Sequence, residues 1–427
     1  MLRGELVAKW DVRRKALTTQ RRDVASLVRA YLHVREYTTL LLRYCSPREV
    51  LMASAFIKRR LRTLQYWLYY RYITPCISSD PITVTLDAMV EGGDPMMHGH
   101  ISEPGMQPWQ GHPSRKVSIW VVGGLGPQLE SLPVVQYEPV SDTWVTSTIE
   151  PIDPTCSTQR YLLQCAVLDN RLYAIGGNSY DARRASPMVT LLDPDTHTWD
   201  AHSCAPMENP RRRFACVTVG DHIYAIGGHI ISGDPVQAED DGRSVERYDP
   251  GTNRWEARAS MIRSRSGMAC AVLHGDIYAT GGLSFEEGVD EPGRDNSVSV
   301  ERYDTGCNRW EPVPNMPVGR HYHAAATLGD RLYVIGGRSD LDDYNASVDR
   351  FDPTRNQWEP VAPLAVARFN LAAVTAGNYI YAIGGFMRIP SEMKEVEVYD
   401  PKNNTWAPCA PMPHGREGMS AVVWPQS

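Results

Sequence analysis

Six pairs of adjacent glycines recur along this chain and constrain its fold more than any other feature. The pairs are Gly123 and Gly124, Gly176 and Gly177, Gly227 and Gly228, Gly281 and Gly282, Gly336 and Gly337, and Gly384 and Gly385. Successive pairs lie 53, 51, 54, 55 and 48 residues apart. A nearly fixed period of this size is typical of repeat proteins, in which every repeat forms one supersecondary unit. The spacing therefore argues against one continuous globular enzyme domain.

Other residues keep constant distances within each repeat. An aromatic residue stands three positions before every glycine pair: Trp120, Tyr173, Tyr224, Tyr278, Tyr333 and Tyr381. A second ring or a leucine (Tyr137, Leu192, Tyr248, Tyr303, Phe351, Tyr399) stands seven positions before Trp144, Trp199, Trp255, Trp310, Trp358 and Trp406. An arginine precedes five of the pairs by sixteen positions: Arg160, Arg211, Arg265, Arg320 and Arg368. The repeats therefore share one local structure.

The sequence of each repeat predicts four short strands, as the fourth repeat illustrates. Apolar runs at 268–273 and 277–280 flank a Gly-Asp turn, and residues 299–303 alternate as a strand with one buried face does. A fourth strand contains Trp310. Gly, Asn and Asp recur in the first turn of the repeats, where tight hairpins need positive φ. A lone four-stranded sheet has bare edges, and radial repetition of such sheets into a propeller protects them.

The Tyr-x6-Trp spacing, the glycine pair and the Gly-Asp turns together closely resemble the kelch family. The resemblance covers about residues 116–424 and implies an all-β, six-bladed kelch β-propeller over residues 116–427. The first repeat opens with a second-type strand, and the tail after Arg416 follows the first-strand pattern. We therefore predict that a C-terminal strand, 418–424, completes blade 1 and closes the ring. The twelve paired glycines are expected to be structural.

Residues 1–75 predict a basic α-helical segment, and residues 76–115 a linker rich in Pro and Gly. The first 75 residues hold 16 Lys and Arg against 5 Asp and Glu, a balance of +11, whereas the remainder carries −17. A basic helix can contact nucleic acid or an acidic membrane surface. The favoured interpretation is a solvated face of a small helical domain, because a charge cluster alone is weak evidence. No nucleic-acid partner is expected.

Location is predicted from the cysteines and from hydropathy. The nine cysteines form no C-x-x-C pair and no even framework, which favours a reducing compartment. No apolar run approaches the length of a membrane span, and charges interrupt the start where a signal peptide would have its apolar core. We expect a cytoplasmic protein, with the nucleus as a second location.

The candidate site lies on one face of the propeller. In kelch adaptors that this chain resembles, the loops between blades and the loops between strands two and three form the ligand-binding surface. This implies a ring of guanidinium groups, suited to carboxylate or phosphate ligands, around the central opening. Its members would be Arg160, Arg211, Arg265, Arg320, Arg368 and Arg416. The alternative is that each arginine fixes a loop by bonding backbone carbonyls.

Two long acidic loops distinguish blades three and four on the same face. They hold 19 and 20 residues between the glycine pair and the ring seven positions before the repeated tryptophan, against 12 to 14 in the other repeats, and they carry Asp240, Asp241, Glu286 and Glu287. Long charged loops on a rigid scaffold are frequent recognition sites. We expect a ligand of mixed charge with its basic part over these blades. Tolerated surface insertions are the alternative.

The expected function is protein binding rather than catalysis. The sequence has no nucleophile elbow, phosphate loop or paired-carboxylate pattern, and no catalytic residue, metal or cofactor is predicted. Kelch propellers often follow BTB and BACK domains in adaptors of cullin-type ubiquitin ligases, although residues 1–75 have no BTB-like pattern. The resemblance implies a substrate-recognition subunit that binds partner peptides in such a ligase setting. The alternative is a scaffold that binds actin.

Overall fold

A computed structural model describes residues 117–126, 132–146, 149, 160–179, 185–193, 196–228, 242–283, 298–339, 344–388 and 391–424. These residues form six four-stranded antiparallel sheets, which are the six blades, and contain no helix. This confirms the predicted all-β, six-bladed propeller architecture. The basic helical segment at 1–75 and the linker at 76–115 lie outside the described residues, and their boundaries stay predictions.

The strands are numbered in chain order, and each blade contributes one strand to each of four sets. The first strands are β5 (Gln164–Leu168), β10 (Ala215–Val219), β14 (Ala269–Leu273), β18 (Ala324–Leu328), β22 (Ala372–Ala376) and β28 (Glu417–Trp424). The second strands are β1 (Ser118–Leu125), β6 (Arg171–Ile175), β11 (His222–Ile226), β15 (Asp276–Thr280), β19 (Arg331–Ile335) and β23 (Tyr379–Ile383). The third strands are β2 (Val135–Glu138), β8 (Val189–Leu192), β12 (Val245–Asp249), β16 (Val300–Asp304), β20 (Val348–Asp352) and β26 (Val396–Asp400). The fourth strands are β3 (Thr143–Thr146), β9 (Trp199–Asp200), β13 (Arg254–Arg258), β17 (Arg309–Val313), β21 (Gln357–Val361) and β27 (Thr405–Cys409).

Two short antiparallel pairs add to the blades. They are β4 (Arg160–Tyr161) with β7 (Asn178–Ser179), and β24 (Phe386–Arg388) with β25 (Ser391–Glu392). β4 lies just before the first strand of blade 2 and β7 just after its second strand, whereas β24 and β25 both lie between the second and third strands of blade 6.

The ring closes through its first strands. Each first strand lies beside the first strands of both neighbouring blades, and β28 stands between β22 and β5. In blade 1, β28 pairs with β1 from Ser118 opposite Trp424 to Leu125 opposite Glu417. The C-terminal strand thus supplies the first strand of the blade that begins the propeller, and it starts at Glu417, one residue before the predicted bound. β28 thereby covers the edge of β1 that would otherwise be unpaired.

The repeated tyrosine and tryptophan form the joints between blades. In blade 4, the rings of Tyr303 and Trp310 lie 5.0 Å apart, and the Tyr303 hydroxyl donates to Asn308 Oδ1 at 2.6 Å. The same asparagine oxygen accepts the amide of Ala259 in blade 3 at 2.9 Å, and the Trp310 indole N–H donates to the carbonyl of Ala259 at 2.8 Å. The constant seven-residue spacing therefore reflects a side-chain clamp on the preceding blade.

The third strands of blades 2 to 6 have buried residues on both faces, which differs from the sequence prediction, whereas β2 of blade 1 alternates as predicted. In β16, Val300, Glu301 and Tyr303 are all buried, so the alternation does not mark a solvent-facing side. Glu301 is only 2% exposed. A carboxylate in such a place requires a charged partner, because an unpaired buried charge is costly.

The second glycine of each pair has no room for a side chain. At Gly228 the backbone has a φ of +95°, and a Cβ would lie 2.6 Å from Phe214 Cβ and 2.8 Å from the carbonyl oxygen of Arg212. A left-handed backbone and a close approach of the next loop both require glycine here. The structure thus places the glycine pair where the connection between blades passes over the end of a second strand.

Candidate functional site

The two predicted sets of loops meet at one end of the blades. The residue after the repeated arginine pairs with the residue after the glycine pair of its own blade, as in the bridges Ser266 to Leu283, His321 to Arg338 and Phe369 to Phe386. The same relation joins Tyr161 to Asn178 in blade 2. We call the surface formed by these connections the loop face.

The repeated arginines lie inside this region and not on its surface. Arg211, Arg265, Arg320, Arg368 and Arg416 are each 0% exposed. In blade 4, Arg265 Nη1 donates to the carbonyl oxygens of Gly281 at 2.7 Å and Ser299 at 2.9 Å. Its Nε and Nη2 donate to one carboxylate oxygen of Glu301, at 3.2 and 2.8 Å. The guanidinium group of Arg265 therefore makes these hydrogen bonds within its own blade.

The spacing of sixteen residues has a direct structural cause. The arginine Nη1 donates to the carbonyl of the first glycine of the pair sixteen residues later, in blades 3 to 6 as follows: Arg211 to Gly227, Arg265 to Gly281, Arg320 to Gly336 and Arg368 to Gly384. The amide of the second glycine of one blade donates to the arginine carbonyl of the next, as from Gly228 to Arg265 at 2.9 Å. Each of these arginine residues thus links its own blade to the preceding blade by hydrogen bonds.

Acidic residues of the third strands neutralise four of these arginines. The pairs are Arg211 with Glu246, Arg265 with Glu301, Arg320 with Asp349, and Arg368 with Glu397. Burial lowers the pKa of Arg265, Arg320 and Arg368, and the adjacent carboxylates oppose that shift. Buried ion pairs of this kind enforce one geometry, because removing either partner leaves an uncompensated charge.

The predicted arginine ring is therefore wrong for these five residues as a ligand-binding surface. The geometry supports the alternative, in which each arginine fixes a loop by bonding backbone carbonyls. The structure describes only the backbone of Arg160, in β4. Asp240, Asp241, Glu286 and Glu287 lie outside the described residues, so their role stays a prediction.

The sequence analysis missed the acidic partners of the arginines. Glu246, Glu301, Asp349 and Glu397 each stand two residues before the ring that precedes the repeated tryptophan. That position holds an acid in four repeats, Val135 in blade 1 and Thr190 in blade 2. An acid that recurs in register with a recurring arginine is the signal that would have identified the pairs.

A funnel opens at the centre of the loop face, and all six blades line it. The residue two positions after each repeated arginine borders this mouth: Leu162, Arg213, Gly267, Tyr322, Asn370 and Gly418. All six have φ between +52° and +64°. Backbone hydrogen bonds run between adjacent members, such as Tyr322 N–H to Gly267 O at 2.6 Å and Asn370 N–H to Tyr322 O at 2.8 Å. The main chain of the mouth is thus bonded from blade to blade, whatever side chain each member carries.

The side chains of the mouth differ from blade to blade, unlike the buried arginine two positions earlier. In blades 5 and 6, the mouth residue Tyr322 packs in an aromatic cluster with Phe369 and Phe386. The rings of Phe369 and Phe386 lie 5.5 Å apart. The Arg213 guanidinium carbon lies 5.3 Å from the centre of the Tyr322 ring, and that of Arg338 lies 5.3 Å from the Phe369 ring. The three rings are buried, at 9%, 3% and 7% exposure, so the half-buried guanidinium groups of Arg213 and Arg338 are the part of this cluster that reaches the loop face.

A buried histidine supports the wall of the funnel in one defined tautomer. The Thr280 hydroxyl donates to the carbonyl of Ala269 at 3.0 Å, so it can only accept from His323 Nε2, which lies 2.8 Å away. His323 Nδ1 has no hydrogen-bond partner. Burial, reinforced by Arg320 and His321, holds the pKa of His323 well below its usual range. Burial beside Arg338 and Arg213 lowers the pKa of His321 to about 3.

Acid is expected to destabilise the propeller through these two histidines. Their pKa values are depressed in the folded state, so below about pH 6.5 the unfolded chain binds protons that the folded chain does not. Each neutral histidine then costs about 2 kcal/mol of stability at pH 5. Urea unfolding at pH 7.5 and pH 5.0 measures this loss. We expect His323→Gln to remove about half of it and His202→Gln, at an exposed site, to leave it unchanged. An equal pH dependence in His323→Gln would contradict the assignment.

No group of three or more His, Cys, Asp or Glu residues suited to a metal ion occurs within the described ranges. Within those ranges, too, no helix has the length and apolar character needed to cross a membrane.

Comparison with known proteins identifies the repeats. Residues 210–262, 264–317, 319–365 and 367–413, which form most of blades 3 to 6, each match the Kelch motif. With six blades built on one plan, the chain is a kelch-repeat β-propeller protein.

Its relatives are kelch proteins of animals. The chain is 34% identical over 137 residues to Kelch repeat and BTB domain-containing protein 8 of Xenopus tropicalis, which is 31% of this chain and 22% of that protein. It is 29% identical over 228 residues to Kelch-like protein 25 of the same species, 51% of this chain and 35% of that protein. It thus spans about a third or less of the length of these relatives. A solved structure titled "Structure of YjhT" shares the fold, with a TM-score of 0.51, 18% identity, and coverage of 64% of this chain and 89% of that one.

Proposed function

We propose that this propeller binds partner proteins through peptide segments on its loop face, as a substrate-recognition subunit in a cullin-type ubiquitin ligase setting. The observation that carries the proposal is the contrast between two neighbouring positions of each repeat. The arginine is constant and buried, whereas the mouth residue two positions later changes from Arg213 to Gly267 to Tyr322 to Asn370. A constant scaffold with varied side chains at its opening suits recognition of one particular partner.

The chemistry of the loop face favours a peptide of mixed character. Arg213 and Arg338 lie over the buried rings of blades 5 and 6 and bring positive charge to the loop face, which suits a peptide carboxylate. Asp240, Asp241, Glu286 and Glu287 lie in the long loops of blades 3 and 4 and would attract a basic part of the same peptide. Similarity to a protein named for kelch repeats and a BTB domain supports the ligase setting. We place the protein in the cytoplasm or the nucleus.

Affinity purification of the full-length protein tests the proposal. We expect cullin and ligase subunits with a protein substrate among the captured partners, and at least tenfold less substrate with the double variant Arg213→Ala and Arg338→Ala. Neutralising the four loop acids should weaken the binding of the same partner. Arg309→Ala is the matched control, because Arg309 is exposed on β17 in the turn region opposite the loop face.

If none of the loop-face variants changed the amount of captured substrate, binding at this site would be contradicted. Recovery of actin and its regulators in place of ligase subunits would favour the alternative of a cytoskeletal scaffold. Melting temperatures of all variants must match that of the wild type, so that lost capture reports lost contacts rather than unfolding.

A further inference from the structure

Blade 1 departs from the charge pattern of blades 3 to 6. In those four blades the buried arginine meets a carboxylate two residues before the third-strand ring: Glu246, Glu301, Asp349 and Glu397. In blade 1 the arginine is Arg416, and the same third-strand position is Val135, which is fully buried. The serine whose hydroxyl bonds the guanidinium in blades 3 to 5 is also replaced, by Pro133.

Arg416 makes the usual hydrogen bonds to backbone carbonyls but none to a carboxylate or a serine hydroxyl in the described part of the chain. Its Nη1 donates to the carbonyl oxygens of Gly123 and Pro133, both at 3.1 Å, as the other arginines do in their blades. Its Nε and Nη2 are buried and have no partner among the described residues. The side chain is 0% exposed, and burial lowers its pKa to about 10 with no carboxylate to oppose the shift. The adjacent Glu417 carboxylate accepts from Asn370 at 2.8 Å on the mouth of the funnel.

In blades 3 and 4 a single oxygen atom fills the position that has no acceptor among the described residues of blade 1. In blade 3, one oxygen of Glu246 accepts from both Nε and Nη2 of Arg211, at 3.2 and 2.7 Å. In blade 4, one oxygen of Glu301 does the same for Arg265, at 3.2 and 2.8 Å. One small acceptor between these two donors thus completes the site, and a monatomic anion has that shape.

A backbone donor faces the same place in the repeat. In blades 3 and 4 the carboxylate also accepts the amide of the residue two positions before the arginine, Asn209 at 3.1 Å and Arg263 at 3.1 Å. The equivalent residue in blade 1 is His414, which retains its amide, whereas Pro413 before it has none. Arg416 and His414 together offer three N–H donors where blades 3 and 4 hold a carboxylate oxygen.

We propose that blade 1 binds a chloride ion between Nε and Nη2 of Arg416, in the position of the carboxylate oxygen of blades 3 and 4. The ion neutralises a buried guanidinium at the junction of the two chain ends, so it stabilises ring closure. Because the ion binds the folded protein alone, stability rises with its concentration.

Thermal melting of the full-length protein in chloride against gluconate, at equal ionic strength, tests the site. We expect the melting temperature to be higher in sodium chloride by about 2 °C or more and to rise with the logarithm of chloride concentration. Val135→Glu supplies the missing carboxylate, so it should abolish the chloride effect. Arg416→Met should abolish it as well. Val145→Glu is the control, because it adds the same charge at a half-exposed position of β3 and should leave the effect intact.

A second measurement does not depend on any variant. Crystals grown or soaked in bromide should give an anomalous peak in contact with Arg416 Nε and Nη2. Equal melting temperatures in the two salts together with no bromide peak would overturn the proposal.

Discussion

Replacing Arg265 by methionine is expected to lower the free energy of unfolding by about 3–5 kcal/mol, the usual loss when one partner of a buried ion pair is removed. Methionine fills much of the space of the arginine stem but offers none of its donors. Glu301 would stay buried without its cation, and the carbonyls of Gly281 and Ser299 would lose their donors. Urea unfolding of the purified full-length protein measures the change.

Two further variants separate this effect from general damage. Arg309→Met removes an arginine of the same blade whose side chain is 68% exposed, and surface ion pairs contribute about 0–1 kcal/mol. The double variant Arg265→Met and Glu301→Met removes both charges, so it should be more stable than Arg265→Met alone. Native stability of Arg265→Met would contradict a structural role for this arginine and revive its role as a surface ligand.

Deletion of residues 417–427 is expected to abolish cooperative unfolding of the propeller. It removes β28, which pairs with β1 over its whole length and packs between β22 and β5. It also removes the Ser420 hydroxyl, which accepts the amide of Cys165 in blade 2 at 3.0 Å, and the buried ring of Trp424. An open ring leaves an unpaired second strand and apolar faces in water. The change should appear as a broad, low-temperature calorimetric transition.

Deletion of residues 425–427 is the control for that truncation, because it leaves β28 entire. We expect it to melt at the wild-type temperature. If the deletion of residues 417–427 melted with the same temperature and sharpness as the wild type, the C-terminal strand would not close the ring.

The number of blades could be predicted because the repeated residues make short, local contacts that tolerate little variation. Tyr303, Asn308 and Trp310 bond one another and the preceding blade through a single turn, which fixes their spacing. The second glycine, as at Gly228, is required by its φ and by the loop that crosses it. Because of such constraints, the same residue types recur at the same distances in the repeats.

The direction of the arginine side chains could not be predicted by the same means. A sixteen-residue spacing is equally compatible with a ring of surface ligands and with a bond to the glycine carbonyl. The deciding partner, Glu301 in blade 4, lies on another strand and on the face of that strand that packs inside the blade. An alternating pattern assigns such a residue to solvent, and only the sheet geometry places it beside Arg265.

Repetition itself indicates which residues are scaffold and which recognise a partner. The arginines are constant because each bonds backbone groups that every blade possesses. The mouth residues, such as Tyr322 and Asn370, share a left-handed backbone and a chain of main-chain hydrogen bonds, yet their side chains differ. Recognition is therefore expected where the backbone repeats and the side chains do not.

Chemical modification of arginine with phenylglyoxal, followed by peptide mass spectrometry, tests the central claim most directly. In the native protein we expect Arg309 to be modified readily, and Arg211, Arg265, Arg320, Arg368 and Arg416 to be protected, because their exposed fractions are 68% and 0%. After unfolding in urea, all six should react. Modification of the five repeated arginines in the native protein at the rate of Arg309 would place them on the surface and contradict the account.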